Sequence, residues 1–228
     1  MLNAIELSVE STSPDEKGTI NIDLSIAEES IQQRALIYDR HGHIHFDTIS
    51  AFIKSLRGSD PDAALLWLAR MLEAGENPKY IFRRLLIAAA EDIGLADPQA
   101  IVVIESCASA FDRIGQPEGN YLLSEATIYL ACAEKSNSVL AINDALRYVR
   151  ESRNLDVPYH LRDSHIDPKI VKEESHYLYP HDYPDHWVHQ NYLPDEFDGN
   201  VFWKPSQKGW EGNRKKLMAE RYKNTHNT

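Results

Sequence analysis

The sequence predicts an all-α fold, followed by an irregular C-terminal extension. Three observations support this prediction. Apolar residues recur every three or four positions between 46 and 151, short polar residues followed by proline punctuate that stretch, and prolines and aromatic residues become dense after 154. Apolar residues at that spacing line one face of a helix. We therefore expect three segments, which are residues 1–43, a helical body at 44–153 and an extension at 154–228.

The first segment predicts two short helices, at residues 1–10 and from Ile26 to Ile37. His41, His43 and His45 follow at alternate positions. Alternate side chains share one side only in a strand. A turn and a helix start fit this stretch better, so we expect these histidines in a solvated polar linker.

The helical body begins where Asp47 is expected to cap a helix that Gly58 ends. The next helix starts share a short polar residue followed by proline, which suits the N-cap and the first helical position. These starts are Asp60-Pro61, Asn77-Pro78, Asp97-Pro98 and Gln116-Pro117, and Ser136-Asn137 opens the last helix of the body. Glycines suit the left-handed position after a helix. They stand at 58, 75, 94 and 115.

Two of these helices are apolar around more than half their circumference, at Ile81–Ile93 and Ala100–Ile114. A helix with one solvent-exposed face needs only a single apolar stripe on its buried face. Burial in the core of one chain and burial by another subunit both explain the pattern.

Six prolines between 158 and 205 exclude long helices from the extension. Its many aromatic residues argue against disorder. We expect an ordered, irregular segment over the helical body, with one small hairpin that pairs 191–193 with 201–203. A short helix at 213–222 would end it.

The chain carries a net charge of −11, which disfavours sequence-independent binding to the phosphates of nucleic acid. Its basic residues still leave two candidate surfaces for DNA or a protein partner. One is the stretch 204–223, and the other is a modest patch. The residues of the patch are Lys54, Arg57, Arg83, Arg84 and Lys135.

The chain has no GxxxxGK[ST], GxSxG, HExxH or paired CxxC motif, so we expect no catalytic site in it and no bound cofactor. Glu91 and Asp92 are adjacent, and adjacent helical residues diverge by about 100°. We expect them to pair with Arg83 or Arg84 rather than to act as a catalytic dyad. Two buried thiols are expected at Cys107 and Cys132. The lack of a signal sequence or a long apolar run predicts a cytoplasmic protein without a membrane span.

The extension also holds histidines that could bind a metal, at 176, 181, 186 and 189, with aspartates at 182 and 185. His186 and His189 are three positions apart, as metal ligands can be. No strongly spaced second pair accompanies them, so polar contacts within the extension are the preferred interpretation.

Five collinear strings resemble one known family, the RarA/MgsA-type ATPases, which are also called Werner-helicase-interacting-protein-type or replication-associated recombination proteins. The strings are residues 45–64, 89–98, 129–138, 156–162 and 179–182. The positions in or beside these strings to which no role is assigned are Asp47, Gly58, Ser59, Asp60, Glu91, Asp92, Asp97, Ser136, Asn137, His160, Arg162 and His181.

The resemblance implies that residues 1–43 are the end of an AAA+ lid with its linker. It implies an upstream motor domain that binds ATP and magnesium. It further implies that the helical body is an oligomerisation domain like the helical collar of clamp-loader subunits, and that it assembles the ATPase as a tetramer. The whole protein would be a DNA-dependent ATPase of stalled forks, recombination and repair. Single-strand-binding protein and DNA would be partners, with a location at the nucleoid. The alternative is that the region is a binding module for DNA or a replication protein.

Overall fold

The computed structural model describes residues 9, 12, 14, 18–24, 43–152, 155–162, 177–197, 199 and 201–224. Helices in this part of the chain are α1 (His43–Arg57), α2 (Pro61–Glu73), α3 (Pro78–Ala88), α4 (Ala100–Ile114), α5 (Asn120–Cys132), α6 (Ala141–Glu151) and α7 (Gly209–Asn224). No strand occurs in it, which confirms the all-α prediction. The helices expected at 1–10 and 26–37 lie outside the described residues.

The chain divides into two compact units, residues 1–135 and residues 136–228. In the first unit, α5 is the central helix, since it contacts α1, α2, α3 and α4. Its buried residues include Leu123, Ala126, Leu130 and Ala131, and the two alanines leave room for close approach of neighbouring helices. Phe52, Leu85 and Ile104 bring α1, α3 and α4 into the same apolar core.

Two of the predicted helix starts are confirmed at atomic detail. The Asp60 carboxylate accepts a hydrogen bond from the Ala63 N–H at 2.9 Å, and the Asn77 side chain accepts one from the Lys79 N–H at 2.9 Å. Both satisfy backbone donors that the first turn of a helix leaves without partners. The other starts come later than expected, because α4 begins at Ala100, α5 at Asn120 and α6 at Ala141.

The helix ends also follow the prediction, with one exception. Gly75, Gly94 and Gly115 have positive φ angles of 76°, 50° and 72°. After α1, however, the left-handed residue is Ser59, with φ of 59°, rather than Gly58. The Ser59 and Asp60 N–H groups bond back to the carbonyls of Leu56 and Ser55, which closes the end of the helix one residue later than the glycine suggests.

Two predictions about the start of α1 are wrong. Asp47 is not its N-cap, because the helix already begins at His43, so Asp47 is an exposed residue of the second turn. His45 is buried instead of lying in a solvated linker, with Nδ1 at 3.0 Å from Glu76 Oε2. A buried carboxylate partner on the turn after α2 explains why a histidine is tolerated there.

The described part of the second unit contains α6, α7 and four short 3-10 turns, at Ser138–Leu140, Tyr159–Leu161, Pro180–Asp182 and Pro184–His186. The hairpin expected between 191–193 and 201–203 is not formed, since both stretches are irregular. The Asn191 side chain bonds the Leu193 backbone twice, and the Gln190 amide does the same with Leu178. The Asn191 amide thus takes the Leu193 backbone groups that the hairpin would have paired.

The final helix is confirmed, and it is longer than the predicted span of 213–222. Within the part of the chain that the structure covers, no helix has the length and apolar character that crossing a bilayer requires.

Replacing Asp60 with alanine should remove the cap of α2 and lower the free energy of unfolding by about 1 kcal/mol. Asp62→Ala is the matched control, since it deletes an exposed carboxylate from the same first turn without deleting the cap. Urea unfolding followed by circular dichroism measures both. Equal losses in the two variants would contradict a capping role.

Candidate functional site

The first group of predicted residues meets where α1 and α3 end. α3 runs into a π-helical turn, Ala89–Ile93, that carries Glu91 and Asp92. The Arg57 guanidinium donates from Nε to Asp92 Oδ1 at 2.6 Å and from Nη2 to Oδ2 at 3.3 Å. Asp92 is nearly buried, whereas Glu91 is half-exposed and 3.9 Å from Arg57. The hydrogen bond to Asp92, reinforced by its charge, raises the pKa of Arg57 above its ordinary value.

This pairing corrects the expectation that Arg83 or Arg84 would be the partner of Glu91 and Asp92. Both arginines lie inside α3, before the π-helical turn redirects the chain. Arg83 is exposed, with its guanidinium 4.8 Å from the centre of the Tyr80 ring. Arg57 ends α1 and belongs to a different helix, so its proximity to Asp92 depends on packing rather than on sequence spacing.

Lys135 anchors the end of α5. Its ammonium donates to the carbonyls of Leu130, Ala131 and Ala133 at 3.0, 3.0 and 2.7 Å, and to Ser59 Oγ at 3.0 Å. Burial lowers the pKa of Lys135, and the negative charges of Asp92 and Glu134 oppose that shift. A cation is favourable here because the last carbonyls of a helix lack partners and carry partial negative charge.

Asp97 connects the start of α4 to α5. One carboxylate oxygen accepts from the Gln99 N–H at 3.1 Å, and the other accepts from the Tyr129 hydroxyl at 2.6 Å. The bond to Asp97, together with burial, raises the pKa of Tyr129 to about 12. The tyrosine therefore stays protonated as a donor.

These contacts engage a set of residues that we name the helix-end cluster. Its members are Arg57, Ser59, Glu91, Asp92, Asp97, Tyr129 and Lys135. All but Tyr129 are positions that the sequence had singled out. Their polar groups are matched to one another and to helix-end carbonyls. The arrangement suits a structural junction that fixes helix packing.

The remaining basic candidates do not take part in these contacts. Lys54 is exposed on α1, and Arg84 is half-buried, with an Nε atom that is buried without a hydrogen-bond partner. Of the two cysteines, Cys107 is buried and burial raises the pKa of its thiol, but Cys132 is exposed, contrary to expectation. The contact of the basic patch with DNA stays a prediction.

The second unit is organised around Glu211, whose side chain is fully buried. Ser136 Oγ donates to one carboxylate oxygen at 2.6 Å, and the Ser206 N–H donates to the same oxygen at 3.0 Å. Trp203 Nε1 donates to the other oxygen at 3.1 Å, and Ser138 Oγ donates to it as well. Burial alone would raise the pKa of Glu211, but the serine donors outweigh it and lower the pKa to about 2.

Next to Glu211, the backbone conformation at the start of α7 requires a glycine at position 212. A Cβ atom at this position would lie 2.3 Å from the Gln207 carbonyl oxygen and 2.6 Å from its carbonyl carbon. That backbone cannot move aside as a flexible side-chain tip can. The glycine therefore allows the chain to fold tightly against the start of α7, next to Glu211.

Glu211 was missed by the sequence analysis, although Ser136 was singled out. Its donors come from 5 to 75 positions away. No local spacing signals such a site. The one available clue was an acidic residue at the start of an otherwise basic helix.

Helix α6 has two unlike faces. Tyr148 packs edge-on against Phe197 and Phe202, with ring centres 5.2 and 5.8 Å away. Another face carries Ile142, Leu146 and Val149, which are 58%, 44% and 57% exposed. With Ala145 they form an i, i+3, i+4, i+7 pattern, which we name the α6 stripe.

The other predicted positions of the second unit make local contacts. His160 Nε2 is 2.7 Å from the Asn191 carbonyl, and the Arg162 Nε donates to the Val157 carbonyl at 2.9 Å. Asn137 is exposed. The rings of His181 and His186 are 4.9 Å apart. His176 lies outside the described residues, and within them no three His, Cys, Asp or Glu side chains are grouped as metal ligands.

Comparison with known proteins gives the family. Residues 58–222 match the family described as "MgsA AAA+ ATPase C terminal", and residues 1–57 match "AAA C-terminal domain". The chain belongs to the MgsA AAA+ ATPase C-terminal family.

Relatives agree with this assignment. The chain is 45% identical to Replication-associated recombination protein A of Bacillus subtilis over 91% of its own length and 50% of the relative. It is 38% identical to the protein of the same name from Escherichia coli K12, over 92% and 48% of the two chains. It is also 37% identical to ATPase WRNIP1 of Dictyostelium discoideum, over 76% and 20%. The chain thus spans about half the length of the two bacterial relatives.

In this MgsA-type region, Asp92→Asn should lower the free energy of unfolding by roughly 1–2 kcal/mol, because a nearly buried carboxylate loses its charge-assisted bonds to Arg57. Glu91→Gln should change the free energy of unfolding by less than about 0.5 kcal/mol, since Glu91 is half-exposed and 3.9 Å from Arg57. Urea unfolding of both variants measures the difference. Equivalent effects would contradict the assigned pairing.

Glu211 should make the second unit sensitive to acid. Its folded pKa of about 2 lies below the ordinary 4.5, so its contribution is complete above about pH 4.5 and is lost as pH falls towards 2. The shift corresponds to roughly 3 kcal/mol. Glu211→Gln should lose most of this at neutral pH and flatten the profile across that window.

Tryptophan fluorescence is the suitable probe, because Trp203 donates to Glu211. Glu220→Gln, an exposed change on the same helix, is the control. An acid profile for Glu211→Gln that parallels the unsubstituted protein would refute the role of this carboxylate.

Proposed function

We propose that this chain is the oligomerisation domain, forming a homotetramer, of a DNA-dependent AAA+ ATPase that acts in replication-fork maintenance, recombination and repair. The second unit supplies the observation that supports assembly. Among its described residues, the buried side chains are Ser136, Ser138 and Glu211, and no hydrophobic side chain is buried. A compact unit without an apolar core is poorly stabilised alone.

The α6 stripe supports a second copy of this chain as the partner. Exposed apolar patches of this kind mark interaction sites. Asp144 and Arg147 form an exposed pair on α6, and Arg150 and Glu151 follow at its end. Both signs of charge therefore border the stripe. In a symmetric contact between two identical helices, acidic and basic residues can face each other.

The names of the relatives, which describe replication-associated recombination proteins and an ATPase, support the activity proposed for the whole protein. We infer an upstream motor domain that binds ATP and magnesium, DNA and single-strand-binding protein as partners, and a cytoplasmic, nucleoid-associated location. In this arrangement the present chain has no catalytic role and sets the geometry of the motors.

A binding module for DNA or a replication protein is the alternative function. The patch formed by Lys54, Arg57, Arg83, Arg84 and Lys135 supports it weakly, because the Arg57 and Lys135 side chains are engaged in internal contacts. The basic segment at the C-terminal end supports it better, since Lys204, Lys208, Lys215 and Lys216 are exposed.

Leu146→Glu should dissociate the assembly, because it places a charge in the middle of a stripe that would be buried between subunits. Asn143→Glu is the matched control, with the same added charge on the polar side of α6. Light scattering after size exclusion, or sedimentation, gives the mass. We expect a tetramer for the unsubstituted chain and the control, and a smaller species for Leu146→Glu.

If the unsubstituted chain were monomeric at every concentration tested, the assembly proposal would be contradicted. An unchanged tetramer in Leu146→Glu would remove α6 from the interface.

A further inference from the structure

We propose that α7 and the residues just before it form a binding surface for single-stranded nucleic acid. The exposed basic residues of this surface are Lys204, Lys208, Arg214, Lys215 and Lys216. They stand out in a chain whose net charge is −11. An acidic body repels phosphates, so a strand that approaches the protein is directed to the basic surface.

The acidic residue nearest to this surface does not weaken it. Glu211 lies in the first turn of α7, but its carboxylate is fully buried and satisfied by donors from Ser136, Ser138, Trp203 and Ser206. Glu220 is the other acidic residue between 204 and 221. The exposed side of the first half of α7 is therefore basic.

An exposed aromatic side chain lies beside one of these cations. Trp210 is 42% exposed, and the Arg214 guanidinium is 5.2 Å from the centre of its ring. The helical period places Trp210, Arg214 and Arg221 on one face, over about 16 Å of helix length. Arg214 holds the ring in place without burying it.

Proteins bind single strands without reading their sequence by combining cations with an exposed aromatic ring. The cations contact the backbone, and unpaired bases stack on the ring. In a duplex the base faces are already stacked, so the exposed face of Trp210 would have nothing to bind. An acidic peptide would satisfy the lysines, but it offers no series of flat bases for the tryptophan.

This inference rests on the proposed function only in that the parent protein acts on DNA. The surface belongs to one chain, whereas assembly is assigned to α6. The two proposals can therefore fail separately.

Fluorescence anisotropy with a labelled oligothymidylate of about 16 nucleotides tests the surface. The unsubstituted chain should bind it, and the affinity should fall as salt rises. The double variant Lys215→Gln/Lys216→Gln should weaken binding roughly tenfold and reduce the slope of log K against log salt by about 1.4, at about 0.7 for each lost phosphate contact. Trp210→Ala should weaken binding about tenfold or more and leave that slope nearly unchanged, because stacking releases no counterions.

The matched control is Lys54→Gln/Arg83→Gln, which removes two exposed charges from the first unit. Binding of this control should equal that of the unsubstituted chain, and circular dichroism should show that every variant is folded. Leu146→Glu should still bind the oligothymidylate, whatever its mass, because the surface lies within one chain.

Four outcomes would overturn the proposal. They are no binding by the unsubstituted chain, full binding by the Lys215/Lys216 or Trp210 variant, equal affinity for a duplex of the same length, and equal affinity for a polyglutamate peptide. Loss of binding in the Lys54/Arg83 control alone would assign nucleic-acid contact to the first unit instead.

Discussion

The buried carboxylate of Glu211 is the constraint on which the order of the second unit depends. A charge removed from water is tolerated only where donors replace the lost hydration. Here two serine hydroxyls, an indole N–H and a backbone N–H do so, from Ser136, Ser138, Trp203 and Ser206. The donors come from the turn before α6 and from the segment before α7. One anion therefore joins the starts of both helices.

The buried carboxylate also affects which side chains the second unit exposes to other molecules. A hydrophobic core is non-directional and tolerates alternative packing, whereas a hydrogen-bonded anion specifies the position of each donor. Because the carboxylate supplies the order, the apolar residues of the α6 stripe need not be used inside the chain and remain exposed. Arg214, Lys215 and Lys216 are exposed, as charged side chains ordinarily are, on the helix whose start the carboxylate holds. Both candidate surfaces thus depend on a network that belongs to neither.

Sequence spacing predicted what depends on near neighbours. The caps at Asp60 and Asn77 bond within three residues, and the left-handed glycines at 75, 94 and 115 act within one turn. The predictions are wrong where a side chain's role depends on a partner that is far away in the sequence. Arg57 pairs with Asp92 across 35 positions, and Ser136 reaches Glu211 across 75. Motif positions could therefore be named from the sequence, but their roles required the packing of helices whose registers no single spacing encodes.

The two units illustrate opposite uses of polar groups. In the first unit an apolar core centred on α5 provides the stabilisation, and the helix-end cluster fixes how the helices meet. Among the described residues of the second unit, the fully buried side chains are polar, and the apolar side chains are half-buried or exposed. The apolar core of the first unit can stabilise that unit without a partner, because the free energy of its apolar burial offsets the conformational entropy lost on folding. Among the described residues the second unit buries too little apolar surface to offset that cost, and this deficit is the physical reason for proposing that a second copy of the chain supplies the missing burial.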